Sequence, residues 1–132
     1  ADLLTGGERQ GSVIQPAVLA NVDPLSAMSQ EELFGPAVAV SRISGLEDGI
    51  RRANDNPYGL GAGLFTRDVS SSVQAMRQID AGIVHINWTP LWRADLMPYG
   101  GLKGSGIGKE GLRTTVEEMT EAKTIILHGA AW

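Results

Sequence analysis

The sequence predicts an α/β fold, a parallel sheet with flanking helices, and three observations carry that prediction. Between residues 37 and 87, apolar runs of strand length alternate with stretches of helical periodicity in the order strand-helix-strand-helix-strand. That order belongs to a parallel sheet with right-handed crossovers. Gly35-Pro36 ahead of the first run and Gly82 ahead of the last punctuate the pattern. The composition, 42% hydrophobic and 20% charged over 132 residues, suits an ordinary globular chain with material for one core.

Taken in order, Ser12 to Leu19 reads as a strand that ends in the turn Asn21-Val22-Asp23-Pro24. After a loop through Ser29, Ala37 to Ile43 reads as a buried strand. Ser44 with Glu47 makes a capping box, and Leu46, Ile50 and Ala53 share one face of the helix that should follow; Asn54 to Gly59 stops it. Ala62 to Phe65 is a short strand. Val69, Val73, Met76 and Ile79 form the stripe of a second helix, and Ile83 to Asn87 is the next strand. From Trp88 to Gly111 periodicity gives way to a long loop rich in aromatic, proline and glycine residues, the kind that is usually functional or disordered. Thr114 with Glu117 is a further capping box, with Leu112, Val116 and Met119 on one helical face. Lys123 to Leu127 reads as a terminal strand without an obvious partner, a candidate edge for another sheet in the same or a neighbouring subunit.

The net charge of −4 and the lack of a basic cluster remove the attraction that dominates nucleic-acid binding. The longest apolar runs, such as Ala37 to Val40, are too short to cross a bilayer. Without cysteine there is no disulfide, thiolate metal site or thiol nucleophile, which fits a cytoplasmic protein. The opening Ala1-Asp2-Leu3 lacks methionine, so the expected setting is a longer reading frame.

Two glycine patterns invite a nucleotide-binding reading. Gly106-Ile107-Gly108-Lys109-Glu110-Gly111 matches G-x-G-x-x-G, but neither the preceding strand nor the later acidic residue is in place, so a tight turn into the last helix is expected. Gly59 to Gly63 is expected to allow close packing around a short strand. The segment Glu31-Glu32-Leu33-Phe34-Gly35-Pro36 is sharper. A carboxylate accepts hydrogen bonds from a ribose diol, and an aromatic face two residues on packs against a flat heterocycle. On chemistry alone, a solvated glutamate pair and a core phenylalanine is the plainer reading.

That segment, together with Ala53-Asn54-Asp55-Asn56-Pro57-Tyr58-Gly59-Leu60, Leu64 to Asp68, Ala81 to Asn87, Pro98 to Gly106 and Glu121 to Thr124, resembles in order the motif blocks of the aldehyde dehydrogenase superfamily. The resemblance implies the C-terminal part of that family's catalytic domain over residues 1–122 and an oligomerisation strand and tail over 123–132. It implies that Glu32 holds the nicotinamide ribose of NAD or NADP, that Phe34 faces the nicotinamide, and that Leu60 and Tyr99 sit near the same pocket. It also implies a homo-oligomer assembled through the terminal strand.

The family reaction uses a cysteine thiolate on the aldehyde, hydride transfer to NAD(P)⁺ and a glutamate base that activates water. With no cysteine, the isolated chain is expected to be inactive and to contribute no catalytic residue. Trp92-Arg93-Ala94-Asp95-Leu96-Met97-Pro98-Tyr99 resembles a variant found in relatives acting on short anionic or hydroxylated aldehydes, of phosphonoacetaldehyde and lactaldehyde types. Arg93 either holds an anion through paired hydrogen bonds or is structural, paired with Asp95 or a loop carbonyl. His85 and His128 have no metal-site spacing, and no metal is expected. Ser70 to Ser72 reads as a helix cap, and Ser105 lacks the frame of a nucleophile elbow. The competing class is a non-catalytic α/β interaction module; an independent nucleotide binder using Gly106 to Gly111 is the third.

Overall fold

Four short strands open the chain: β1 (Asp2–Thr5), β2 (Arg9–Gln10), β3 (Val13–Ile14) and β4 (Ala17–Ala20). The computed structural model describes residues 1–129. The strand expected over Ser12 to Leu19 is divided at Pro16, which has no N–H for a ladder. Its first part pairs with β2 in a small hairpin and its second part pairs antiparallel with β1, a strand the sequence reading missed.

After a single turn of helix, α1 (Ala27–Gln30), the chain enters β5 (Ala37–Val40), which lies parallel to β4 with Ala17 opposite Ala37. Then follow α2 (Leu46–Asn54), β6 (Tyr58–Gly59), β7 (Gly61–Leu64), α3 (Val69–Gln78) and β8 (Ile83–Ile86), with β7 and β8 parallel. The chain returns through β9 (Leu102–Lys103), antiparallel to β6, and ends its regular structure in α4 (Leu112–Met119). Helix α2 packs on α3, and α3 on β8.

Alternation of helices and parallel strands is as expected, but one continuous sheet is not. Strand β5 pairs with β4 and β7 pairs with β8, with no ladder between β5 and β7 among the described residues. Nor is β5 buried: Val38 and Val40 are each about half exposed. An all-apolar strand is suited to cover on both faces, and this chain does not provide it.

The helix starts also differ from expectation. Gly45, not Ser44, stands at the start of α2, and the carboxylate that reaches back to the Ser44 N–H is Asp48 at 3.1 Å, not Glu47. Asp68 caps α3 by accepting from the Ser71 N–H at 2.6 Å, so the serines donate to the cap and do not supply it. Helix α4 starts after Gly111, which leaves Thr114 inside it and the expected box unformed. Lys123 to Leu127 is irregular and unpaired among the described residues, with Ile125, Ile126 and Leu127 exposed. The expected tail ends at 130–132, outside the described residues.

Ile50 and Ala75 are the buried hydrophobic residues among those described. The accessible surface is 10511 Å² for 14.0 kDa, against roughly 6,700 Å² for a folded chain of that mass. Much of the apolar surface is therefore uncovered, and what core exists lies between α2, α3 and β8.

Candidate functional site

The better-packed half of the chain also builds its clearest concavity. Asn54, the last residue of α2, clamps the turn before β8: its Nδ2 donates to the Gln78 carbonyl at 2.7 Å, and its Oδ1 accepts from the Asp80 N–H at 2.9 Å. Its own carbonyl accepts from Lys103 Nζ at 2.8 Å, which ties β9 to the same corner. The Ser105 hydroxyl accepts from the Gly59 N–H at 2.9 Å, a structural duty in keeping with its expected lack of nucleophilic chemistry. Close packing around Gly59 and Gly63 is as expected, since a Cβ there would meet Asp80 O at 2.4 Å and Trp88 O at 2.8 Å.

At the end of β8, Asn87 adopts φ +58°, a conformation asparagine tolerates better than most residues, and accepts from the Thr66 N–H at 2.8 Å. The chain is thereby redirected into the loop that carries Trp92 and Arg93. A bridge between Tyr99 and Glu110 closes the base of the returning segment. The expected turn over Gly106 to Gly111 is present, with positive φ at all three glycines, and it leads into α4.

Between these pieces lies a cavity of about 310 Å³ lined by Leu60, Ile83, Pro90, Trp92, Arg93 and Tyr99, among others. Three of the five expected site residues, Leu60, Arg93 and Tyr99, are thus brought together. The Arg93 guanidinium carbon lies 4.6 Å from the centre of the Tyr99 ring, a cation–π contact. The structural alternative named Asp95 or a loop carbonyl as partner; the charged neighbour is instead Glu110, whose Oε2 is 3.9 Å from Nη1. That distance is too long for a hydrogen bond. On the far side of Trp92, His85 meets its ring edge-on at 6.1 Å, and His85 Nε2 is buried without a partner among the described residues.

Glu32 and Phe34 stand apart from this cavity. Phe34 is 93% exposed, which excludes a core phenylalanine within this chain. The Glu32 carboxylate is exposed and makes no hydrogen bond or ion pair among the described residues. The segment thus leaves an unengaged carboxylate and an open aromatic face on either side of Leu33, with a tight turn closed by the Gly35 N–H donating to the Leu33 carbonyl at 3.0 Å. Another concavity, of about 220 Å³ near Gln30, Arg51 and Arg52, contains none of the expected site residues, and both arginines are engaged by Asp48. The Leu60 and Arg93 cavity is the stronger candidate because it combines apolar walls with an oriented cation.

Sequence reasoning missed Asn54, Trp92 and Glu110. Asn54 lay inside a quoted motif, and an amide at a helix end next to a stop signal is the mark of a backbone clamp. Nothing in the linear order pointed to Glu110, which meets Arg93 across 17 positions only because the Tyr99 bridge folds the loop back.

Comparison with known proteins agrees with this architecture. A family model described as the aldehyde dehydrogenase family matches residues 1–125. A lactaldehyde dehydrogenase of Methanococcus maripaludis is 42% identical over 127 residues, 96% of this chain and 27% of the relative. A 3-sulfolactaldehyde dehydrogenase of Priestia megaterium is 42% identical over 97% of this chain and 27% of the relative. The crystal structure of a glyceraldehyde-3-phosphate dehydrogenase from Methanocaldococcus jannaschii, complexed with NADP, superposes with a TM-score of 0.87 at 38% identity, over 96% of this chain and 27% of that one. The chain spans about a quarter of the length of these relatives.

Proposed function

The chain belongs to the aldehyde dehydrogenase family, and on that premise we propose that it is the substrate-facing segment of a longer NAD(P)-dependent enzyme that oxidises a small anionic aldehyde to the acid. The observation that carries the reading is the Arg93 guanidinium stacked on Tyr99 at the wall of an apolar cavity. Leu60 and Trp92 supply hydrophobic walls for a short carbon chain, and Arg93 supplies paired donors for a terminal anion. Relatives named for lactaldehyde and 3-sulfolactaldehyde support a small polar or anionic substrate.

Glu32 would hold the nicotinamide ribose through its carboxylate, and Phe34 would pack against the nicotinamide. When bound, NAD or NADP supplies the hydride acceptor. This chain's residues orient that end of the cofactor and shape the aldehyde cavity; its lack of cysteine places the nucleophile elsewhere in the enzyme. Residues 1–122 act as the catalytic-domain part. Lys123 to Leu127, unpaired among the described residues and ending in the apolar Ile125 to Leu127, gains a ladder partner in a homo-oligomer. A cytoplasmic setting fits the cysteine-free composition; no helix among the described residues is long and apolar enough to cross a membrane.

The test is a crossover in the complete enzyme. Arg93→Ala should raise KM for an anionic aldehyde by roughly tenfold or more, the effect of losing a charge-assisted hydrogen bond, and leave the cofactor KM unchanged. Glu32→Gln and Phe34→Ala should do the reverse. If neither set separates the two constants, the assigned roles are wrong.

A further inference from the structure

We propose that Glu110 tunes substrate charge selectivity: its carboxylate, beside the Arg93 guanidinium, weakens the anion field of the cavity and so narrows the advantage of a dianionic aldehyde over a monoanionic one. The proposal rests on the reading of Arg93 as the anion-holding residue.

The placement of Glu110 is set by backbone. The Tyr99 N–H donates to the Glu110 carbonyl at 3.0 Å, and the Glu110 N–H donates back to the Tyr99 carbonyl. Glu110 is therefore fixed next to the ring on which Arg93 lies, and its Oε2 stands 3.9 Å from Arg93 Nη1. At that distance the two charges attract, yet no hydrogen bond commits the guanidinium to this partner. Asp95, nearer in sequence, makes no ion pair with Arg93 among the described residues. Lys109, the adjacent cation, is engaged by backbone: its Nζ donates to the Gly100 carbonyl at 3.1 Å. An incoming anion therefore meets a guanidinium whose charge is partly offset by a carboxylate 3.9 Å away.

Charge arithmetic follows from this arrangement. Repulsion from Glu110 scales with the charge on the substrate, so it is absent for a neutral aldehyde and about doubled for a phosphate ester, which carries about −1.5 to −2 at neutral pH. The attraction of Arg93 scales in the same way, so Glu110 trims the gain of a phosphate ester about twice as much as that of a carboxylate or sulfonate.

The experiment compares the complete enzyme with its Glu110→Gln and Arg93→Ala variants on three probes: butyraldehyde, succinic semialdehyde and glyceraldehyde 3-phosphate. Glutamine keeps the size and leaves the backbone bridge in place. With each aldehyde's kcat/KM expressed as variant over wild type and normalised to butyraldehyde, Glu110→Gln should raise the succinic semialdehyde value about two- to fivefold, the range of an exposed ion pair. The glyceraldehyde 3-phosphate value should rise by about the square of that factor, because the charge is nearly doubled, and both gains should shrink with added salt. Arg93→Ala should lower the two values in the same graded order. If Arg93→Ala is graded by charge and Glu110→Gln is flat across the probes, the proposal is overturned while the reading of Arg93 stands. If Arg93→Ala is flat, that reading fails and the proposal falls with it.

Discussion

The first 45 residues and the stretch from α2 to Gly111 are built from similar amounts of apolar sequence, but they hold their functional residues in different ways. In the second region Leu60, Arg93 and Tyr99 converge because the chain ties itself together through the Asn54 clamp, the Tyr99 and Glu110 bridge, and backbone contacts around Gly59 and Gly82. In the first, Glu32 and Phe34 project from a segment beside a half-covered sheet, with Phe34 almost fully exposed. The difference teaches that the aldehyde side of the proposed pocket is largely preformed within this segment. The proposed cofactor side is left open by this segment.

The largest effect that bears on this contrast is steric. A Cβ at Gly82 would stand 1.8 Å from the Gly100 carbonyl oxygen, so Gly82→Ala must push two backbones apart. The expected cost is about 3 kcal/mol, the upper end of overpacking penalties, seen as a lowered Tm together with a raised aldehyde KM. At Gly35, beside Phe34, the nearest neighbour is the Leu33 side chain at 3.9 Å, and Gly35→Ala should change stability by no more than about 0.5 kcal/mol. A Gly35→Ala penalty as large as that of Gly82→Ala would break the comparison, because the segment carrying Glu32 and Phe34 would then be just as tightly constrained.

Next in size is Asn54→Ala, which removes two side-chain hydrogen bonds joining α2 to the turn before β8. The expected loss is about 1 to 3 kcal/mol. Hydrogen exchange should show it concentrated at residues 78–83 and 102–105, with the β1-β4-β5 sheet unaffected. Uniform loosening of both regions would mean they unfold as a single unit.

The smallest effect is acid sensitivity. The Ser44 N–H, and after it Arg52 and Arg51, hold the Asp48 carboxyl well below its ordinary value of 3.8. The Ser71 hydroxyl, with the Ser71 N–H, lowers that of Asp68. Carboxyls depressed in the folded state contribute their full stability above the unfolded value, near pH 4, and lose it as the pH falls further. Far-ultraviolet circular dichroism should therefore show helix content falling below pH 4. Asp48→Asn and Asp68→Asn should flatten that response; an unchanged acid profile in both variants would remove these carboxylates as the cause.

Much of this was legible in the sequence, and what was not has identifiable physical reasons. Between Leu46 and Ile86 the two helices and the strands β7 and β8 followed from periodicity, because local pattern and local structure agree there, whereas the two-residue β6 was read as a helix stop. The pairing of strands did not follow. Residues 37–87 read as one sheet, but whether β5 meets β7 depends on what lies between them, which the pattern of either strand does not encode. The capping boxes at α2 and α4 were misplaced because any Ser or Thr three residues before Glu satisfies the motif, and at α3 the serines were chosen over Asp68, whose carboxylate has more acceptor capacity. Among the site residues, Arg93 and Tyr99 were visible as motif letters, but their stacking geometry and the approach of Glu110 arise from a bridge between distant positions.

Strand β5 has one more consequence. Its outer edge carries an unsatisfied row of amides and carbonyls among the described residues, and its valines are half in water. A polypeptide with such a seam is adhesive in dilute solution and drawn toward inclusion bodies when made by itself. If the chain is part of a longer enzyme, as proposed, the same seam should serve as a zipper for reconstitution with a separately produced remainder, offering a ready template for a further ladder.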